Sequence, residues 1–385
     1  MYSFAIQIIL SFCEGSYLFV SINQEWKDMY ILLFKKTETR IGLCSPQQIE
    51  YVIKMGYVLS DETIKSAARL GNLNVLKHFF KKDKYESYRY VCTYAAYKGH
   101  LKVLKWAREN DCPWNERTCI AAAKGRHLDI LKWAHENGCP WNAHTCTAAA
   151  GSKNINILKW VRENGCPWDT HTCRNAAYRG RLKVLKWARG NGCPWDEMTC
   201  SWAAKAGHLH ILKWARENGC LWNARTCADA AYRGHLHILK WARENGCLWN
   251  ARTCADAAHR GHFEILKWAR ENGCPWDEWT CEKAAGKGHL KILKWARENG
   301  CPWDKYTCRS AAEKGYLEIL KWARENGCPW DEQICLSAAR NGHLDILKWA
   351  LANGCLWNKQ NCAYIASEYE HSEILNWILT NSHVY

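Results

Sequence analysis

The side chains with the widest chemical potential in this sequence are its 23 cysteines and 16 histidines, and their spacing decides what they can do. One cysteine series runs Cys112, Cys139, Cys166, Cys193, Cys220, Cys247, Cys274, Cys301, Cys328 and Cys355, each 27 residues from the last. A second runs from Cys92 to Cys362 with the same step, and only Cys13 and Cys44 stand outside both. Thiols can hold zinc or form disulfides. Within a repeat, however, the two cysteines make C-x6-C, not the C-x2-4-C usual for zinc, and a tetrahedral site needs four converging ligands. Equivalent cysteines of adjacent repeats are expected one helix spacing apart, about 8–10 Å, beyond the roughly 7 Å reach of a disulfide. The spacing therefore predicts inert thiols used as small hydrophobes, with no metal, crosslink or cofactor, in a reducing compartment. Seven histidines, His100, His127, His208, His235, His262, His289 and His343, share one recurring position. A general base is singular and needs a placed nucleophile and an orienting partner. No Gly-rich phosphate loop, H-E-x-x-H or nucleophile elbow occurs either, so no enzyme is expected.

The elements that carry these residues are read from one copy, Cys274 to Gly300: CPWDEWTCEKAAGKGHLKILKWARENG. Thr280-Cys281 followed one turn later by Ala284-Ala285 predicts a short helix with a small-residue face. Gly288 suits a left-handed helix end, and Asp277, Asn in other copies, suits a helix cap. A second helix follows in LKILKWAREN. Ile292, Leu293, Trp295 and Ala296 form its apolar stripe, and Lys291, Lys294, Arg297 and Glu298 its wet side. Gly300 and Pro302 end it. One such pair cannot bury its own stripe, so copies must stack and share a core. Trp295 is read as part of that core, its truncation to Ala costing about 3–5 kcal/mol. The 385 residues are 48% hydrophobic and 24% charged, so the chain folds, and the fold class is all-α. No run approaches the about 18 apolar residues of a membrane span. The opening MYSFAIQIILSF lacks a basic start, and Cys13-Glu14-Gly15 is a poor cleavage site, so an intracellular, cytoplasmic protein is expected.

The string T-x-x-x-A-A-x-x-G-H followed by L-x-I-L-K-x-x-x-x-x-G resembles the ankyrin repeat, with Thr280–His289 on its first helix and turn and Leu290–Cys301 on its second helix. The family's common repeat has about 33 residues. The residues missing here fall between Cys301 and Thr307, so the projecting hairpin of the family is reduced to a tight loop, and contacts made by hairpin tips do not carry over. The resemblance implies an ankyrin-like solenoid, a turn histidine that bonds the neighbouring turn, and a role in binding proteins. The short Cys-Pro-Trp form is similar to arrays abundant in large DNA viruses of amoebae, which would place the chain in the host cytoplasm. Ten copies from Cys92 onward keep the paired alanines, Ile64–Phe80 is a weaker copy, and Ile49–Gly56 reads as the second helix of an earlier one. Residues 44–385 are thus expected to form a solenoid of about 12 helix pairs, a curved rod on the order of 110 Å long, with the Cys362 copy as terminal cap. Residues 1–43 do not repeat. Ile9-Leu10-Ser11-Phe12, Tyr17-Leu18-Phe19-Val20 and Asn23-Gln24-Glu25-Trp26-Lys27 faintly resemble the later part of an F-box, a family that docks on the adaptor subunit of cullin-type ubiquitin ligases, although the opening Leu-Pro is absent. A plain hydrophobic cap is the alternative.

Net charge is +15, from 53 Lys and Arg against 38 Asp and Glu. A lysine series from Lys105 to Lys348 lies on the wet side of the second helices, which reads as a solvated face or a nucleic-acid track. A second cationic set varies between copies and stands just before the turn glycine: Lys98, Arg179, Arg233, Arg260, Lys287 and Lys314, often preceded by an aromatic residue such as Tyr97, Tyr178 or Tyr232. By the resemblance this helix end borders the family's concave face. Such groups can grip an acidic peptide through salt bridges and cation–π contacts, or can simply meet a helix dipole. Positions that the fold fixes cannot encode a partner, so specificity is sought where copies differ. These are the pairs after the second cysteine, such as Ser201-Trp202, Ala228-Asp229 and Glu282-Lys283, and the loop residue before Thr, as in Trp279 and Tyr306. Trp202 and Trp279 are read as exposed anchors or, alternatively, as rings packed on their own loops. The expected partner is a protein with an acidic surface, met along first-helix ends and loops between Lys98 and Lys314. A ubiquitin-ligase adaptor subunit reached through residues 1–43, or nucleic acid, is the alternative.

Overall fold

The computed structural model describes residues 47, 50, 61–80 and 86–381. The F-box-like segment and most of the helix expected over Ile49–Gly56 lie outside the described residues. Among those residues the chain is all-α, with 24 α-helices and one short 3-10 turn, and it divides into two compact halves, Met1–Pro194 and Trp195–Tyr385. Each half is a solenoid of stacked helix pairs.

In the N-terminal half the pairs are α1 (Asp61–Leu70) with α2 (Leu73–Phe80), α3 (Val91–Lys98) with α4 (Leu101–Glu109), and α5 (Glu116–Gly125) with α6 (Leu128–Glu136). They continue with α7 (Ala143–Ala150) and α8 (Ile155–Glu163), then α9 (Thr170–Tyr178) and α10 (Leu182–Gly190). The C-terminal half begins with α11 (Glu197–Lys205) and α12 (Leu209–Glu217), α13 (Ala224–Tyr232) and α14 (Leu236–Glu244), and α15 (Ala251–His259) and α16 (Phe263–Glu271). Next come α17 (Glu278–Ala285) and α18 (Leu290–Glu298), and α19 (Lys305–Glu313) and α20 (Leu317–Glu325). It closes with α21 (Gln333–Asn341) and α22 (Leu344–Ala352), and α23 (Lys359–Glu368) and α24 (Ser372–Thr380).

The copy read above shows how each pair is built. Helix α17 starts two residues before Thr280 and ends beside Gly288, whose φ of +79° lets the His289 amide return 2.9 Å to the Ala284 carbonyl. The loop residue caps the helix where Asn223 and Asp304 accept from the amides of Arg225 and Tyr306, each at 3.0 Å. Asp277 takes the same extended backbone without closing such a bond, a departure from the expected cap. Helix α18 ends on three interlocked contacts. Asn299 Nδ2 donates to the Trp295 carbonyl at 2.8 Å, the Cys301 backbone amide to the Ala296 carbonyl at 2.9 Å, and the Arg297 guanidinium to the Cys301 carbonyl. Arg297 also lies 4.1 Å over the Trp303 ring, so one side chain fixes both the backbone and the aromatic of the short loop.

Close backbone approach runs from first helix to next first helix, α15 to α17 to α19, and from each first helix to its own second. Thr280, Cys281, Ala284 and Ala285 are fully buried at that approach, with Ile292, Leu293 and Ala296 against them. Small side chains allow it, because a larger residue would force the helices apart. The turn histidines complete the stack. His100 Nε2 bonds the Arg69 carbonyl at 2.9 Å and His343 Nε2 the Glu313 carbonyl at 3.3 Å, as the resemblance implies. A Cβ placed on Gly261 would stand 2.8 Å from the His289 ring, so the turn glycine is required by space as well as by φ.

Trp295 is not core. It is half-buried, its ring edge-on to Trp276 at 5.9 Å and to Phe263 at 5.4 Å, because its position falls beside the stripe that Leu293 and Ala296 bury. The same Trp pair recurs as Trp249 with Trp268 and Trp303 with Trp322, both at 5.8 Å. Only Trp106 of the second-helix series reaches the buried class, at 7% exposed.

Among the described residues the cysteines are buried and form no disulfide, and several do more than fill space. Cys301 Sγ donates to the Asp277 carbonyl of the preceding loop at 3.5 Å, and Cys328 does the same to Asp304 at 3.4 Å. The closest thiol neighbours are 20 residues apart, the second cysteine of one copy beside the first of the next. Cys119 Sγ, for example, lies 3.9 Å from the Cys139 carbonyl. This pairing was not visible in the 27-residue step. Its hydrogen bond to Cys301, together with burial, pushes the Cys281 thiol well above its ordinary range. Burial pushes Cys92 up to about 12 and Cys112 up to about 11. On the acid side, burial lowers His235 and His262 below their ordinary 6.5.

Three expectations follow from this packing. Leu293→Ala should cost about 2–5 kcal/mol in urea unfolding, and Trp295→Ala clearly less, since its ring is already partly wet. The Oγ1 atoms of the buried Thr253 and Thr280 meet no hydrogen-bond partner, so Thr253→Val should raise stability by about 1 kcal/mol; a loss would show that the hydroxyl is paired. Stability should also depend on pH in a defined way. Folded Cys92 and Cys112 keep protons that the unfolded chain releases near 9.0, so their contribution to stability is full below that pH and falls as it rises towards 12. His235 and His262 are held neutral, so their contribution is present above 6.5 and lost as pH falls. Melting temperature should therefore be flat between these limits, and removing Cys92 and Cys112 together as alanines should soften the alkaline fall.

Candidate partner-binding site

The first helices place the partner-reading residues expected from sequence at their ends and starts. In the N-terminal half Lys98 and Arg179 are exposed. Lys98 Nζ lies 5.5 Å over the Tyr97 ring and Arg179 5.8 Å over that of Tyr178, which is half-buried. In the C-terminal half Arg233, Arg260, Lys287 and Lys314 are exposed on the successive copies of α13, α15, α17 and α19. The Tyr232 ring stacks on His259 at 5.7 Å, and the guanidiniums of Arg233 and Arg260 stand over Tyr232 at 5.8 and 5.0 Å. The cations on this half therefore form an exposed row, with one stacked ring pair, Tyr232 and His259, at its start.

Trp279 and Tyr306 occupy equivalent positions at the starts of α17 and α19, 57% and 46% exposed. Each has a lysine near its ring, Lys283 at 5.9 Å and Lys305 at 5.9 Å. Trp202 differs from expectation. It is half-buried, because the second position after the cysteine faces along the stack towards neighbouring first helices, where Ser310 meets Gly286. Asp229, at that same position, is also withdrawn from any partner. It is buried and accepts from Ser201 Oγ, with Lys205 Nζ at 3.6 Å and Arg225 Nε at 3.5 Å. The lysines of the second helices are engaged as well, Lys213, Lys240 and Lys294 each 5.7 Å over the tryptophan ring of the next copy.

Sequence reasoning missed one feature, a cleft of about 290 Å³ lined by His259, Glu282, Lys283, Gly286, Lys287, Ser310, Glu313 and Lys314. It opens because Gly286 stands in the row where neighbouring copies have Tyr232, His259 and Glu313. The signal was present as a glycine two residues before the turn glycine. Lys283 pairs with Glu282 at 3.1 Å and Lys314 with Glu313 at 2.8 Å, and that second contact holds the Glu313 carboxyl below its usual range. Burial, with Lys287 and Lys283 nearby, lowers His259 and keeps it neutral at pH 7. Among the described residues no group of three His, Cys, Asp or Glu side chains is placed to hold a metal ion. The same residues include no helix long and apolar enough to cross a membrane. The arrangement offers charge, aromatic surface and shape, which are means of binding.

The family model described as "Ankyrin repeats (many copies)" matches residues 92–135 and 308–351. Among solved structures the chain is similar to the ankyrin repeat domain of human ASB11, at 19% identity and a TM-score of 0.34, over 41% of this chain and 84% of that one. No curated protein matches the chain. Each half is an all-α solenoid of ankyrin-like helix pairs, and the stretches 92–135 and 308–351 carry ankyrin repeats.

Proposed function

We propose that the chain is a protein-binding scaffold, without catalysis of its own, and that its C-terminal half meets an acidic partner along the first-helix ends from Tyr232 to Lys314. Ankyrin repeats generally mediate contacts between proteins, and that supports the class. The observation that carries the choice of face is the exposed row of Arg233, Arg260 and Lys287, with Tyr232 stacked against His259 between the two arginines. These groups vary from copy to copy and are not consumed by the stack, whereas Asp229 is. In the N-terminal half Lys98, Tyr178 and Arg179 offer the same chemistry. The short Cys-Pro-Trp loop supports a viral source and, with it, the cytoplasm of a host cell.

Reversing Arg233, Arg260 and Lys287 together to glutamate should weaken capture of the native partner at least about tenfold, measured with purified protein at fixed salt. Unchanged capture would move the contact to another face. Binding through nucleic acid would instead show affinity falling steeply and linearly in log salt. An adaptor role would show as co-purification of a ubiquitin-ligase adaptor subunit that is lost when residues 1–43 are removed.

A further inference from the structure

The row of side chains at the first-helix ends is broken at one place. From α13 to α19 it reads Tyr232, His259, Gly286, Glu313. The first two are stacked rings, and the third has no side chain, so the cleft between His259 and Glu313 is the space of one missing residue. The cleft is cationic without being a track for a polyanion. Lys283 and Lys314 are each held by a carboxylate, and among the described residues Lys287 meets no carboxylate within ion-pair distance. A phosphodiester chain needs a continuous run of free cations, whereas a single anionic group needs only one free cation and two that can reorient.

The same two helices carry the exposed aromatics at their other end. Trp279, Lys283 and Lys287 follow one another at four-residue steps along α17 and just beyond it, and Tyr306, Ser310 and Lys314 do so along α19. Steps of four keep residues on one face of a helix. Two parallel stripes result, aromatic at the start and cationic at the end, with the vacancy of Gly286 between the cationic ends. Eight residues of helix span about 12 Å. An extended peptide covers that length in about four residues.

Building on the scaffold reading above, we propose that the space left by Gly286 receives one anionic side chain of the partner, carboxylate or phosphate. Trp279 and Tyr306 hold an apolar residue about four positions away on the same extended segment. The ligand is thus a protein segment with one apolar and one anionic anchor. Aromatic anchors beside a charge-paired pocket are the arrangement in which a few residues dominate an interface.

The test uses the full chain and fluorescein-labelled Gly-Ser peptides that carry one phenylalanine and, about four residues later, glutamate, phosphoserine or serine. Fluorescence anisotropy should show saturable binding of at least one of the two anionic peptides and binding at least about tenfold weaker for the serine peptide. Which anionic peptide binds more tightly identifies the anion. Gly286→Tyr, which restores the ring found at Tyr232, should weaken the preferred peptide about tenfold with an unchanged melting temperature. Since a Cβ at Gly286 would approach the Ser310 Cβ to 3.1 Å, the surface variant Trp279→Ala gives a second reading and should weaken the same peptide similarly. No saturable binding of either anionic peptide, affinity unaffected by both variants, or preferential binding of an oligothymidine of equal charge would each overturn the proposal. If the triple charge reversal weakens capture of the native partner while both variants leave peptide affinity unchanged, the face is right and the pocket is wrong. If the triple reversal has no effect on the native partner, the reading of the face itself falls.

Discussion

The structure depends on how closely neighbouring first helices can approach. Thr280, Cys281, Ala284 and Ala285 present at most two heavy atoms beyond Cβ at that contact, and every one is fully buried. A helix pair of this length has little surface of its own to bury, so the free energy that holds it comes from its neighbours. Because the approach is close, dispersion contacts are many and a single added methylene is felt. Cys281 fills the contact with a small thiol, and the loop cysteine of the next copy adds a weak donor that reaches back to a loop carbonyl, as Cys301 does to Asp277. A hydroxyl of similar size would carry a stronger polar demand into a site that offers few partners, as the unpaired Oγ1 of Thr280 illustrates.

The outer layer follows a different rule. Most of its tryptophans do not fill a core; they lie across short loops, and many meet another ring edge-on or take an arginine or lysine over the face. Arg297 over Trp303 and Lys294 over Trp322 show both uses. A large part of the positive charge counted in the sequence is therefore spent on holding loops and rings together. Formal charge thus overstates the positive charge left unengaged along the second helices.

Much of the architecture was legible in the residues. The 27-residue step, the paired alanines and the turn glycine are each tied to a backbone or packing requirement that tolerates few alternatives, so helix pairs and turns could be read directly. Trp295 could not be placed by the same means. A stripe at i, i+1, i+3 and i+4 does not say which edge of the helix is covered, and large aromatics are stable when half wet if another ring shields them. The thiol neighbours escaped for a geometric reason: they join the second cysteine of one copy to the first of the next, a relation hidden by comparing equivalent positions. At the candidate site the exposed cations and the exposed rings of Trp279 and Tyr306 were legible because they vary. The burial of Asp229 and the half-burial of Trp202 were not, since variation alone does not separate a residue that faces a partner from one that adjusts a seam. Gly286 is a case of its own, an absence of side chain whose meaning depends on what stands on either side.

The turn glycine and the histidine that fits over it come from different copies, Gly261 and His289 for instance, and the same fit recurs along each half. Within each half, most seams are thus matching edges of one pattern. Unequal recombination can insert or delete a whole copy without inventing a new junction, and the two copies Cys220–Gly246 and Cys247–Gly273, which differ at only three positions, have the mark of such an event. A vacancy like that at Gly286 would then be inherited as portable cargo, able to be moved, doubled or lost along the array while the framework around it stays intact.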